Sequence, residues 1–275
     1  MLEALWLVPL GFAVGAYGTL IGAGGGFVLM PALLLLYPGE SSDVLTGISL
    51  TVVFFNALSG SAAYARMRKI DYRSGLILAA ATVPGAILGA LTTGLVPRRA
   101  FDGVLGVILI GAAVFLMARP SLGRRAPAGA AAGASPPAGD GAPETNRLGT
   151  YSLRLAVGLS LLVGYVSSLL GIGGGIIHVP VLVGLLGFPV HVATATSHFV
   201  LVLTALAGAA THAATGSLGP GVGRVVFLAA GVVAGAQLGA WLSPRSRGRW
   251  ILRGLAAALA LVGARVLVLA FQTTP

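Results

Sequence analysis

Two apolar runs in this chain, at positions 4–37 and 153–186, are too long for one straight membrane crossing, and each carries a cluster of glycines inside it. At 1.5 Å rise per residue, a helix of that length would reach about 50 Å, against a hydrocarbon core of ~30 Å. Each run is therefore expected to be a broken or re-entrant helix. Six further apolar runs, at 44–65, 75–96, 101–118, 192–214, 225–242 and 251–271, are each about one crossing long. Only 9% of the residues are charged and 56% are apolar, where a soluble domain carries roughly 25% charged residues. In water such a chain would expose large apolar patches, which soluble monomers avoid. Lipid as solvent removes the conflict, and the 42 glycines suit helices that pack backbone to backbone in a membrane.

The two long runs resemble each other. IGAGGGFVLMPALLLL begins at Ile21 and LGIGGGIIHVPVLVGLL at Leu170. Gly22, Gly24, Gly25, Gly26 and Pro31 match Gly171, Gly173, Gly174, Gly175 and Pro180 at a constant offset. One deleted residue later, VLTGIS from Val44 matches VATATS from Val192, and GAILGA from Gly85 then matches GAQLGA from Gly235. Three matches in one order, at nearly one spacing, indicate duplication. Between the copies, RPSLGRRAPAGAAAGASPPAGDGAPETNR cannot bury a core and is expected to be a flexible linker. The expected fold is an all-α polytopic membrane protein of about eight transmembrane helices in two homologous four-helix halves. The first and fifth segments are broken or re-entrant at their glycine motifs. The boundaries are 1–118 for the first repeat, 119–150 for the linker and 151–275 for the second repeat.

The formal net charge of +10 comes almost wholly from arginine, Lys69 being the only lysine. These arginines are scattered between apolar runs, the pattern of loop charge beside a membrane; they form no continuous patch for nucleic acid. With no cysteine, disulfides and thiolate metal sites are excluded. Glu3 precedes the first apolar run and the first basic residue is Arg66, so that run is expected to stay as a membrane helix rather than be cleaved as a signal peptide.

Unwound backbone survives in lipid only where protein or a water-filled cavity satisfies its polar groups. The glycine clusters permit a sharp turn, and a half-helix restarting afterwards points free N–H groups and the positive end of its dipole into the gap. Gly22, Gly24, Gly25, Gly26, Gly171, Gly173, Gly174 and Gly175 are thus candidate anion-binding positions; the competing reading is that they only allow close helix packing. Thr46, Ser49 and Thr51 follow the first cluster by about a helix length, as Thr194, Thr196 and Ser197 follow the second. Thr46 with Ser49, and Thr194 with Ser197, share a helix face. Their hydroxyls either donate to an anion or bond neighbouring helices. Asn56 is a further polar group in the second segment.

All four histidines lie in the second half: His178, His191, His198 and His212, at positions matched by Leu29, Asp43, Leu50 and Tyr64. His178 and His198 sit inside apolar runs. Each is either a site for an anion or a proton, or a neutral hydrogen-bonded core residue. His191 is expected on a loop, and His212 near a segment end is weaker evidence of a site. The acids Glu3, Glu40, Asp43, Asp71, Asp102, Asp140 and Glu144 all fall near segment ends or in the linker. A cation site is disfavoured by that, and so is catalysis by paired carboxylates or a Ser/His/Asp set. The glycine ridges Gly85–Gly89 and Gly231–Gly235–Gly239 are read as surfaces for close helix contact. Gln237, among them, either lines a pathway or bonds a neighbouring helix.

The segments GIGGGIIHVPVL from Gly171 and FPVHVATATS from Phe188, with the weaker copy GAGGGFVLMPAL from Gly22, resemble the TauE/SafE sulfite exporter family, also called the toluene sulfonate uptake permease family. The resemblance covers nearly the whole chain outside the linker. It implies secondary transport of sulfur-containing or other organic anions such as sulfite, thiosulfate or a sulfonate, and leaves substrate and direction open. The expected function is an exporter of sulfite or a small organosulfur anion in the inner (cytoplasmic) membrane; the alternative is a permease or channel for another small organic anion such as a carboxylate. The expected substrate-binding set is the eight glycines with Thr46, Ser49, His178, Thr194, Ser197 and His198. No enzymatic activity, cofactor, metal or nucleic-acid partner is expected. The expected partners are the anion and the bilayer, and a homo-oligomer is open.

Overall fold

The computed structural model describes residues 5–118, 153–184, 188–245 and 248–272; the expected linker lies outside them. Ten α-helices run through the described residues, with no strand among them: α1 (Leu7–Ile21), α2 (Gly26–Leu36), α3 (Ser42–Arg66), α4 (Tyr72–Thr93), α5 (Arg98–Ala118), α6 (Leu153–Leu169), α7 (Gly175–Gly184), α8 (Val190–Ala214), α9 (Val222–Leu242) and α10 (Gly248–Gln272). Each long apolar run is two helices, parted at Gly22–Gly25 and at Gly171–Gly174. With 15 residues, α1 alone rises about 22 Å, short of the hydrocarbon thickness. Four stretches are each long and apolar enough to cross a membrane: Ser42–Arg66, Tyr72–Thr93, Val190–Ala214 and Gly219–Arg245.

Local chemistry sets several of the helix ends. Ser41 caps α3 by accepting from Val44 N at 3.4 Å, and Asp71 caps α4 by accepting from Ser74 N at 3.1 Å. A capping carboxylate beside the first turn also offsets the positive end of the helix dipole. His191 falls in the first turn of α8 and is exposed, rather than on a loop. Pro189 is the N-cap residue of that helix.

The main packing runs between the halves. α1 lies along α9 and α4 along α6, while α5 lies along α10 and α3 against α8. α3 also meets α9, as α8 meets α4. The glycine ridges make these approaches possible. A Cβ on Gly15 would fall 2.6 Å from the Val232 carbonyl oxygen, and on Gly235 or Gly239 it would run into the backbone of Phe12 or Ala16. Reciprocally, Gly85 and Gly89 of α4 face the carbonyls of Leu161 and Tyr165 on α6, and Gly164 of α6 faces that of Thr82. Gln237 bonds across α9 to α3, its Nε2 donating to Ser59 O and Oγ at 2.8 Å each.

Large apolar side chains cover the outside, among them Leu95, Val107, Met117, Leu261 and Phe271. An outer surface of that kind suits lipid. At one end of the bundle, two polar pairs, Arg224 with Glu40 and His212 with Asp43, tie the halves together, and Arg98 braces Glu40 within the first half. Arg224 Nη2 stands 2.7 Å from Glu40 Oε1, with its guanidinium 4.0 Å over the Tyr37 ring. Arg98 Nη1 donates to Glu40 O at 2.7 Å, and its Nε pairs with Asp102 Oδ1 at 3.0 Å. His212, fully buried, places Nδ1 3.0 Å from Asp43 Oδ1.

Candidate functional site

At the first interruption, the N–H groups of Gly22, Ala23 and Gly24 all fold back on the carbonyl of Gly18, at 3.0, 2.9 and 3.3 Å. Gly22, Gly24 and Gly25 take φ of 86°, 77° and 78°. The second interruption repeats the sequence of conformations, with φ of 66° at Gly171, 68° at Gly173 and 21° at Gly174. A side chain at such φ clashes with its own backbone, so both turns need glycine. The helices restart at Gly26 and Gly175. Val28 N and Leu29 N already donate to Gly25 O, Ile177 N and His178 N to Gly174 O, and Gly175 N to Gly173 O, so only the N–H groups at the very start of each helix remain for another acceptor. The N-cap of α2, Gly25, supplies no side-chain bond. At the second break, by contrast, Ser167 Oγ accepts from Gly174 N; the matching position in the first half is Gly18.

Each interruption sits on the hydroxyl face of the other half. Ser49 Oγ donates to Gly171 O at 2.6 Å, and Ser197 Oγ donates to Gly22 O at 3.2 Å. One turn away, a Cβ on Gly171 would lie 3.2 Å from Thr46 Cγ2, and one on Gly22 would lie 2.6 Å from Thr194 Cγ2. The i, i+3 spacing of Thr46 with Ser49 and of Thr194 with Ser197 thus forms two seats, each for the opposite loop. The loops also meet each other. A Cβ on Gly175 would stand 2.7 Å from Ala23 Cα and Gly22 O, and one on Gly26 would stand 2.6 Å from Ile172 O. All of Gly22–Phe27 and Leu170–Ile176 is buried.

The structure therefore brings the eight glycines, Thr46, Ser49, Thr194 and Ser197 into one buried centre. His178 joins it from α7: Gly174 faces its Nδ1, and neither ring nitrogen has a hydrogen-bond partner. Thr46 Oγ1 is likewise buried without a partner. His198 borders the first break, its Nε2 3.2 Å from Thr19 Oγ1. Thr51 turns back on its own helix, donating to Gly47 O at 2.8 Å, and Thr196 Oγ1 accepts from Asp71 N at 3.1 Å.

Several groups at this centre carry no motif of their own. Thr19 Oγ1 donates to Asn56 Oδ1 at 3.1 Å, and Tyr64 OH donates to Thr19 O at 2.8 Å. Ser167 and Ser168 are fully buried beside the second break. Thr19 matches Ser168 in the repeat register, the one signal in the sequence that could have found them. Among the described residues, no group of three or more His, Asp or Glu side chains is arranged to hold a metal.

Helical spans packed across two halves, with paired helix interruptions buried at the contact, define a multi-pass membrane protein built as a transporter. The family model described as "Sulfite exporter TauE/SafE" matches residues 7–266, and the chain belongs to that family. A probable membrane transporter protein of Bacillus subtilis (strain 168), YunE, is 32% identical over 271 residues, covering 95% of this chain and 96% of its own. A probable membrane transporter protein of Methanocaldococcus jannaschii is 26% identical, over 75% of this chain and 72% of its own. Another from Sinorhizobium is 29% identical over 38% of this chain and 39% of its own. No solved structure matches.

Proposed function

We propose that the protein is a secondary transporter exporting sulfite or a small organosulfur anion across the cytoplasmic membrane. The observation that carries the reading is the meeting of two glycine-turned helix starts, Gly26 and Gly175, in a buried centre. Each start aims main-chain N–H groups and a positive dipole end at the same region, where a compact anion gains from both. Among the described residues no carboxylate belongs to that centre, so nothing there repels it. Thr46 and His178 have polar atoms free to bind it. Ser49 and Ser197 hold the loops in place, and Thr194 packs on Gly22. The loops are in contact with each other, so a solute enters only when they part. Movement of the reciprocally packed helix pairs supplies alternating access.

The test is flux into proteoliposomes. Radiolabelled sulfite, thiosulfate, a small sulfonate and a small carboxylate are compared, with unfolding temperatures recorded for each variant. Saturable flux of the sulfur anions is expected, with Thr46→Val and His178→Leu weakening it. Preference for the carboxylate removes the substrate assignment. Unitary currents in a planar bilayer remove the carrier mechanism.

A further inference from the structure

We infer that His198 is a proton site, and that one proton crosses with each anion. The inference rests on the anion-transport reading and names its coupling ion. His198 is fully buried on α8, bordered by α1 and α3. The Thr19 hydroxyl gives its proton to Asn56 Oδ1, so the His198 Nε2 facing that hydroxyl at 3.2 Å is the donor of the pair. In this arrangement Nδ1 carries the lone pair, and it has no partner. A proton on that nitrogen turns its contacts with the backbone carbonyls of Thr194 and Gly22 into hydrogen bonds, at the cost of burying a charge.

Burial opposes a charge on this ring, and two backbone acceptors offset part of that cost. The backbone carbonyls of Thr194, one turn back on α8, and of Gly22, at the first break, border it and accept from a protonated ring. Gly22 O is the same carbonyl that Ser197 holds at 3.2 Å. Ser197 holds that carbonyl and the adjacent His198 ring lies beside it, so a proton on His198 is felt at the anion site. Tyr64 is the titratable group facing the ring, edge-on at a centroid distance of 5.6 Å from α3. From α1 the ring meets Thr19, and from α3 Asn56 shares that hydroxyl. On the α4 side, Asp71 reaches α8 two residues before His198, through its N–H to Thr196. Arg66 and Arg245 stand at the ends of their elements. The one carboxylate of this set, Asp71, has its two oxygens on Ser74 N and Oγ, and an unbalanced charge in such a place is costly. A monoanion at the glycine turns supplies the countercharge, so each ion raises the affinity for the other by the same factor. The matching position in the first half is Leu50, which gives one such proton per cycle rather than two.

Nδ1 takes the proton from one aqueous face and releases it to the other. Tyr64, Thr19 and Asn56 form a polar trail from the last turns of α3 to the ring. The experiment loads proteoliposomes with a pH-sensitive dye, clamps the membrane potential with potassium and valinomycin, and follows sulfite or thiosulfate under an imposed pH gradient. Wild type is expected to move about one proton per anion and to speed up several-fold with the gradient, while the flux left in His198→Gln carries no proton. Thr19→Val, which removes the partner of Nε2, is expected to shift the pH of half-maximal flux, and it serves where His198→Gln does not fold. Anion flux in wild type without proton movement overturns the inference and leaves the transport reading standing; so does an unchanged proton-to-anion ratio in His198→Gln, or an unchanged pH midpoint in Thr19→Val. Absence of any anion flux in wild type overturns both.

Discussion

Ser49 and Thr46 stand one turn apart on the same face of α3, yet removing their hydroxyls should have opposite effects on stability. Ser49 Oγ donates to a buried carbonyl at 2.6 Å. Ser49→Ala leaves Gly171 O without that donor and is expected to cost about 1–3 kcal/mol. Ser197→Ala breaks the matching bond at 3.2 Å and is expected to cost less. Thr46 Oγ1 is buried and bonds to nothing. Thr46→Val exchanges an unsatisfied hydroxyl for a methyl of the same shape, so stability should hold or rise, while anion flux falls if that hydroxyl serves the solute. Thermal unfolding in detergent, set beside flux, separates the two roles. A Thr46→Val protein as destabilised as Ser49→Ala would show that the threonine is structural. At Gly22 both the left-handed φ of 86° and the nearby Thr194 side chain stand against any replacement, so Gly22→Ala should be the most damaging of these changes.

Helix pairs in this fold approach as closely as their glycines permit, and the choice of glycine decides which substitutions matter. Gly235→Leu drives a side chain into the Phe12 carbonyl and should push α9 from α1, costing several kcal/mol by overpacking. Gly111 lies on an open face of α5, with nothing within 4 Å of a Cβ. Gly111→Ala should be neutral or stabilising by up to about 1 kcal/mol through helix propensity. Comparable unfolding temperatures for Gly235→Leu and wild type would refute the ridge assignment. The ridges were legible in sequence because four-residue spacing puts small residues on one face. Their partners were not, because nothing local says that Gly85 meets Leu161 or that Gly235 meets Phe12. The two breaks were legible for a different reason: the length of the runs at 1.5 Å per residue forces an interruption, and the glycines mark the place. The seats beneath them were half legible. Thr46–Ser49 and Thr194–Ser197 declared a shared face, but the spacing could not show that each serine binds the other half's glycine turn. His212 was the least legible group. Its partner, Asp43, lies 169 residues away, and proximity to a helix end gave no sign that the ring is fully buried.

At the scale of the whole molecule, the halves are not separate bundles, since each long run lies along a helix of the other half. In the proposed carrier cycle the contact surface, rather than either half alone, is what rearranges. One end of that surface is closed by polar contacts: Glu40 with Arg224 at 2.7 Å and Asp43 with His212 at 3.0 Å, each joining the start of α3 to the end of α8 or the start of α9. A carrier cycle that opens this end must break both. Because the chain has no cysteine, Glu40→Cys with Arg224→Cys offers a pair that a short bis-maleimide links without background. The linked protein should lose net transport while keeping its unfolding temperature, and each single variant treated with the same reagent should keep its flux. The linked form should still bind anion from the opposite side, seen as a ligand-dependent rise in unfolding temperature, since the tether fixes one end and leaves the glycine turns untouched. Undiminished transport in fully linked protein would mean that this end stays closed throughout the cycle, and the moving surface would then lie among α1, α4, α6 and α9 at the other end.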